Sequence, residues 1–207
     1  MKLLHIDSSP LGTASVSRLL TADIVAAWAS AHPGLEVKYR DLAQNPPDHL
    51  TAELMQVVKF RNLDNLTPRQ SAELALTDAL VDELLDADVL VIGAPMYNFG
   101  VPTQLKAWID RVAQAGRTFR YTETGPVGLA GGRKVIIASS RGGRYAETPF
   151  ETALDHQEAY LRAVLGFLGI TDVTVIRAEG VAMGAEARDG ALAEARRAMA
   201  QLVGVAA

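Results

Sequence analysis

Between Ile6 and Leu20 the chain reads IDSSPLGTASVSRLL, with Ser8, Ser9, Ser15, Ser17 and Thr13 around a single glycine, Gly12, and no lysine. Hydroxyls and backbone N–H groups at the start of a helix suit an anion, because the unpaired donors and the helix dipole both favour negative charge. Two familiar phosphate cradles do not fit. The triphosphate loop GxxxxGK(S/T) needs a lysine for the outer phosphates, and the dinucleotide fingerprint GxGxxG needs three glycines where this loop has one. A terminal monophosphate, held without metal by Ser9, Ser15 and Ser17, remains. Serines also cap helices that bind nothing, so this loop alone leaves cap and cradle both open.

Two further stretches have unusual chemistry. In APMYNFGVP, Ala94 to Pro102, two prolines and Gly100 stiffen a turn that carries Met96, Tyr97 and Phe99. Soft and aromatic side chains there suit a flat ring, and Asn98 offers both a donor and an acceptor. A hydrophobic plug at the end of a sheet would use the same residues. In SSRGGRY, Ser139 to Tyr145, adjacent glycines let the backbone approach a ligand, and Arg141 or Arg144 supplies positive charge for an anionic ring. A flexible turn with solvated arginines reads the same way.

These stretches need elements that bring them together. The runs KLLHI (Lys2–Ile6), LEVKY (Leu35–Tyr39), DVLVIGA (Asp88–Ala94), KVIIAS (Lys134–Ser139) and DVTVIRA (Asp172–Ala178) read as strands. Several are apolar continuously, as expected of a parallel sheet covered on both faces. Helical patterns fall between them, over Ser17–Ala31, Thr67–Asp86, Thr103–Ala115, Thr148–Leu168 and Ala185–Val203. Thr67, Pro68 and Gln70 mark the second helix start by cap, first-turn proline and capping box. The pattern predicts an α/β three-layer sandwich with a five-stranded parallel sheet in the flavodoxin-like order 2-1-3-4-5. Ligands of such sheets bind beyond the strand carboxyl ends at the switch between the first and third strands, where all three loops fall. The long connection Ala43–Leu66, with a short helix at Thr51–Phe60, is a candidate lid.

Composition narrows the partners. The 207 residues, 49% apolar and 21% charged, fit one globular domain. A net charge of −4 argues against a nucleic-acid partner. No apolar run reaches the roughly 20 residues of a membrane span. The absence of cysteine excludes a thiol nucleophile, and with an N-terminus too soon polar for a signal segment it points to the cytoplasm. The four histidines, His5, His32, His49 and His156, show no metal-ligand spacing.

Taken in order, SSP with SVS, APMYNFGVPTQLKAWIDRV, TFRYTETGPVGL and SSRGG resemble the bacterial FMN-dependent NADH-azoreductases, relatives of the flavodoxin-like quinone reductases. The resemblance spans nearly the whole chain. It implies a single flavodoxin-like FMN-binding domain over residues 1–207. By it, Ser9, Ser15 and Ser17 bind the FMN phosphate with Val16 contributing backbone, and Met96, Tyr97, Asn98 and Phe99 line the isoalloxazine. Ser140, Arg141, Gly142 and Gly143 contact its pyrimidine edge. It also implies a homodimer with active sites at the subunit interface. Phe99, Tyr121 and Phe167 then shape the substrate pocket, with Tyr121 and Phe167 reaching over the other subunit's flavin. An apolar band of Leu161, Val164, Leu165, Phe167 and Leu168 is broad enough to serve both core and partner.

The activity implied is reduction of azo compounds and quinones. NADH or NADPH delivers hydride to flavin N5 and leaves before the acceptor takes its place, a ping-pong cycle. Two rounds cleave an azo bond to two aromatic amines. Asn98 and Tyr121 are candidate proton donors beside water. An electron carrier of the same fold is the rival reading, told apart by direct reduction with a nicotinamide. The segment Arg144–Gln157 carries no motif.

Overall fold

The computed structural model describes residues 1–205, so the expected domain over 1–207 runs two residues beyond them. Five parallel strands form the main sheet: β1 (Lys2–Asp7), β2 (Glu36–Asp41), β3 (Val89–Pro95), β6 (Lys134–Arg141) and β7 (Asp172–Glu179). A separate antiparallel hairpin joins β4 (Phe119–Thr122) to β5 (Gly125–Gly128). The sheet order is β2-β1-β3-β6-β7. Counted within the sheet alone, this is second, first, third, fourth, fifth; the expected 2-1-3-4-5 overlooked the hairpin strands.

The continuous apolar runs are explained by period-two alternation between two buried faces. Leu4, Ile6, Leu90, Ile92, Val135 and Ile137 pack on one face with Leu80, Leu84, Leu105, Trp108, Leu161 and Leu165. Those partners lie on α3 (Pro68–Asp86), α4 (Thr103–Val112) and α6 (His156–Phe167). Leu3, Val89, Val91, Ile136 and Ala138 face the other way, onto Leu20, Ile24, Trp28, Leu192 and Ala195 of α1 (Val16–Ala31) and α7 (Ala185–Val205). Each large aliphatic buried this way contributes about 2 kcal/mol. Every residue of β3 is buried, so the loop that follows it starts from a strand covered on both faces.

Four expectations need correction. First, α1 begins at Val16 with Ser15 as its cap, so Ser17 lies inside the first turn. Second, the expected helix Thr148–Leu168 is two helices, α5 (Glu151–Leu154) and α6. Asp155 ends one and caps the other by accepting the Glu158 N–H at 3.0 Å.

Third, Ala43–Leu66 is not a free lid. Its helix α2 (Ala52–Val58) buries Leu54, Val57 and Val58. The Lys59 ammonium donates to the carbonyls of Asp110 and Ala113 at the end of α4, and Arg111 donates to the Asp48 carbonyl at 2.8 Å. Fourth, only part of the α6 band is left for a partner: Leu161, Leu165 and Leu168 are buried core, while Val164 and Phe167 pack against it and stay half-buried.

The hairpin rests on the turn between α6 and β7. A Cβ added at Gly128 would stand 2.1 Å from the Gly169 nitrogen, so only glycine permits that approach. Among the described residues no helix is long and apolar enough to cross a membrane.

Candidate active site

The first loop leaves β1 at Asp7. Ser8 turns back and donates its hydroxyl to the Gly93 carbonyl at 2.6 Å, tying β1 to β3. After a short helical turn at Gly12–Ala14, Ser15 caps α1 by accepting the Arg18 N–H at 3.3 Å. The Ser15 and Ser17 hydroxyls lie 3.0 Å apart. The N–H groups of Val16 and Ser17, at the first positions of α1, have no hydrogen-bond partner among the described residues. Two hydroxyls and two free N–H groups thus converge at a helix N-terminus. The Ser9 hydroxyl lies 3.1 Å from the Tyr97 hydroxyl and accepts the Leu11 N–H at 3.3 Å.

Beneath the loop is a charged cluster that the sequence reading missed. The Arg18 guanidinium donates to both carboxylate oxygens of Asp41 at 2.7 Å, and to the Ser9 carbonyl at 3.1 and 2.9 Å. Its bond to Asp41 raises the Arg18 pKa and holds the Asp41 carboxyl below its ordinary range. Asp7 accepts from Thr21 at 2.8 Å and from Tyr39 at 3.0 Å. Burial, then the charge of Asp7, pushes the Tyr39 hydroxyl up to about 12. Gly93 makes this possible, since a Cβ there would lie 2.8 Å from an Asp7 carboxylate oxygen.

The second loop is a two-residue turn. Tyr97 and Gly100 exchange N–H···O=C bonds at 3.1 and 3.0 Å. Asn98 and Phe99 between them have φ of 47° and 69°. This is the geometry of a primed turn, which Asn tolerates and a bulky aromatic does not. Holding Phe99 there costs on the order of 1–2 kcal/mol. Phe99 is exposed, and it meets Tyr145 edge to face at 6.2 Å. Met96 and Tyr97 are half-buried, and the Met96 N–H donates to the Ser140 carbonyl at 2.8 Å.

The third loop corrects the charge expectation. Arg141 is fully buried, and its guanidinium pairs with Asp155 at 2.8 Å, Glu179 at 3.0 Å and Glu158. Arg177 also binds Glu158, at 2.6 and 2.7 Å, and this bond raises the Arg177 pKa. The Arg141 side chain is therefore a structural strut that offers no positive charge to a ring; only its backbone remains at the loop. The carbonyls of Gly142 and Gly143 accept from Ala182 and Gly180 at 3.1 and 2.9 Å. Gln157, another residue the sequence reading missed, fixes the spacing of the two strand ends. It donates to the Ala94 carbonyl at 2.7 Å and accepts from Ser139 at 2.8 Å.

Tyr121 and Phe167 lie elsewhere. Both pack against Phe119, with ring centroids 5.5 and 4.6 Å from it. This cluster sits where α6 turns into β7, and a helix linking parallel strands runs back to their amino ends. Within one chain the cluster is thus at the opposite end of the sheet from the three loops. Arg61 pairs with Asp78 at 2.9 Å, whereas Arg144 is exposed and lines a groove between β7 and α7.

A family model described as "Flavodoxin-like fold" matches residues 1–203. A protein of Azospirillum brasilense named FMN-dependent NADH:quinone oxidoreductase is 75% identical over 197 residues, covering 95% of each chain. One of the same name from Laribacter hongkongensis is 57% identical over 204 residues, covering 98% of this chain and 100% of the other. Among solved structures, an azoreductase from Bacillus anthracis superposes with a TM-score of 0.88 at 27% identity, covering 98% of both chains. An FMN-dependent NADH-azoreductase of that species in complex with FMN gives 0.87 at 27% identity, covering 98% and 100%. By its fold, and by sequence identity over nearly its full length, the chain belongs to the flavodoxin-like family of the FMN-dependent NADH:quinone oxidoreductases.

Proposed function

We propose that this protein binds FMN and uses NADH to reduce quinones and azo compounds. The observation that carries the reading is the donor set at the start of α1. The Ser15 and Ser17 hydroxyls and the free N–H groups of Val16 and Ser17 meet there, and the neighbouring cation, Arg18, is paired with Asp41. Neutral donors and a helix dipole fit a terminal monophosphate that requires neither magnesium nor a lysine. Ser9 completes this cradle and links it through Tyr97 to the ring loop.

Met96, Tyr97, Asn98 and Phe99 line the ring, with the strained turn presenting its backbone N–H groups. Ser140, Gly142 and Gly143, together with the Arg141 backbone, meet the pyrimidine edge. Bound FMN supplies two-electron chemistry, accepting a hydride equivalent from NADH and passing it to the acceptor in a ping-pong cycle. Two such cycles take an azo bond to two aromatic amines. The chain's own part is to orient the ring, exclude water and offer N–H donors to the negative charge that develops. Asn98 stands exposed at the turn, where its amide can hydrogen-bond the acceptor while water supplies the proton. NADH is taken as the donor because it is the donor in the names of the relatives.

The Phe119, Tyr121 and Phe167 cluster lies at the far end of its own chain's sheet, so these rings reach a flavin only in a second copy. A homodimer therefore belongs to the proposal, with Phe99 of one chain and Tyr121 and Phe167 of the other around the acceptor. The cysteine-free composition suits a reducing cytoplasm.

The test is the visible absorbance of the FMN-reconstituted protein under anaerobic conditions. Bleaching on NADH and recovery on adding a quinone or an azo dye is the expected result. Binding without bleaching would indicate an electron carrier, and no binding would overturn the reading.

A further inference from the structure

Arg18 sits directly behind the cradle, and its contacts all turn inward. Its side chain is 15% exposed. Nε and Nη2 donate to the Ser9 carbonyl, Nη1 and Nη2 to Asp41, and Nη1 also to the Tyr39 hydroxyl at 3.0 Å. Nη1 lies 3.6 Å from Asp7 as well. A guanidinium so committed has no face left for a ligand. It acts through what it holds.

Two things are held. The first is a carbonyl. Ser9 precedes Pro10, which has no N–H, so this peptide can offer an anion nothing but its oxygen. Turned into the cradle, that oxygen would repel a phosphate; bound by two guanidinium N–H groups, it points into the protein. The second is charge. Asp7 and Asp41 are two nearly buried carboxylates behind a loop that must accept a dianion. Arg18 is the cation that touches both. A planar fork suits this task, because it binds a carboxylate through two bonds and still reaches a carbonyl.

We infer that Arg18 is a positioning residue for the phosphate, turning the Ser9 carbonyl out of the cradle and screening the Asp7 and Asp41 carboxylates. This explains how a loop without lysine accepts a doubly charged group. The inference rests on the FMN reading above, and it concerns the phosphate alone, so riboflavin, which lacks that group, is the natural control.

The experiment measures FMN and riboflavin binding by flavin fluorescence for wild type, Arg18→Gln, Arg18→Lys and the double variant Arg18→Gln/Asp41→Asn. Arg18→Gln should weaken FMN about tenfold or more and leave riboflavin within about twofold. Arg18→Lys, which keeps the charge but not the fork, should recover only part of the loss. The double variant removes one charge of each sign and should bind FMN better than Arg18→Gln, but less tightly than wild type. Should Arg18→Gln be insoluble, the double variant decides: FMN weakened with riboflavin retained supports the role. Equal losses of both flavins, or FMN binding unchanged without Arg18, would overturn it. A wild type that binds riboflavin as tightly as FMN overturns the phosphate cradle itself, and one that binds neither overturns the flavin reading.

Discussion

The hydroxyls of Ser9 and Tyr97 lie 3.1 Å apart across 88 residues of chain. They join the loop after β1 to the loop after β3, so the two loops are one hydrogen-bonded unit. Replacing Tyr97 with Phe removes only this link. It should weaken FMN by about 1 kcal/mol, the typical net worth of one such bond, with a shift of the flavin absorption band. An FMN titration read in the visible checks both.

Arg141 makes the opposite kind of contact, with charge buried among charge. Its loss leaves Asp155, Glu158 and Glu179 with Arg177 as their sole cation in this cluster. Arg141→Gln should cost about 3–5 kcal/mol of stability, the penalty for breaking a buried pair. Urea unfolding of the FMN-free protein measures it.

Phe99 trades stability for position. Phe99→Gly relieves the left-handed backbone and should raise stability to urea by about 1 kcal/mol, while turnover with a quinone falls because the ring contact is gone. Unfolding curves and steady-state rates on one preparation separate the two effects.

Lys59 makes stability depend on alkaline pH. Burial among α2 and α4 residues lowers its pKa from 10.5 to about 8. Between these values the folded chain has lost a proton that the unfolded chain keeps, so stability rises with pH across that window. Below about 8 both states hold the proton and the dependence vanishes. Wild type minus Lys59→Met, compared by urea unfolding at about pH 7 and about pH 10, should therefore grow in favour of wild type.

The parallel sheet was legible because β3 is apolar at every position, a pattern that only a strand covered on both faces sustains. The three loops were legible because they break that pattern with residues rich in chemistry. The hairpin was not, since Arg120, Tyr121 and Thr122 are exposed and leave no hydrophobic period to read. The helix break at Asp155 does carry a local signal, an acid three residues before Glu158. Arg18 and Arg141 had none. Their partners lie up to 38 residues away on other elements, so each reads as a surface cation until the fold brings the acids in.

The Gln157 bridge carries a consequence for how the molecule is made. It joins Ala94 to Ser139, and can form only when β3, β6 and α6 are all in place. The link between Ser9 and Tyr97 likewise waits for β3. The cross-links that join the loops of the site are thus contacts of high sequence separation, which form late in folding. A ligand held there would arrive after assembly, stabilising the finished molecule by mass action rather than templating it. Quenching of flavin fluorescence during refolding would then serve as a clock for the last contacts to close.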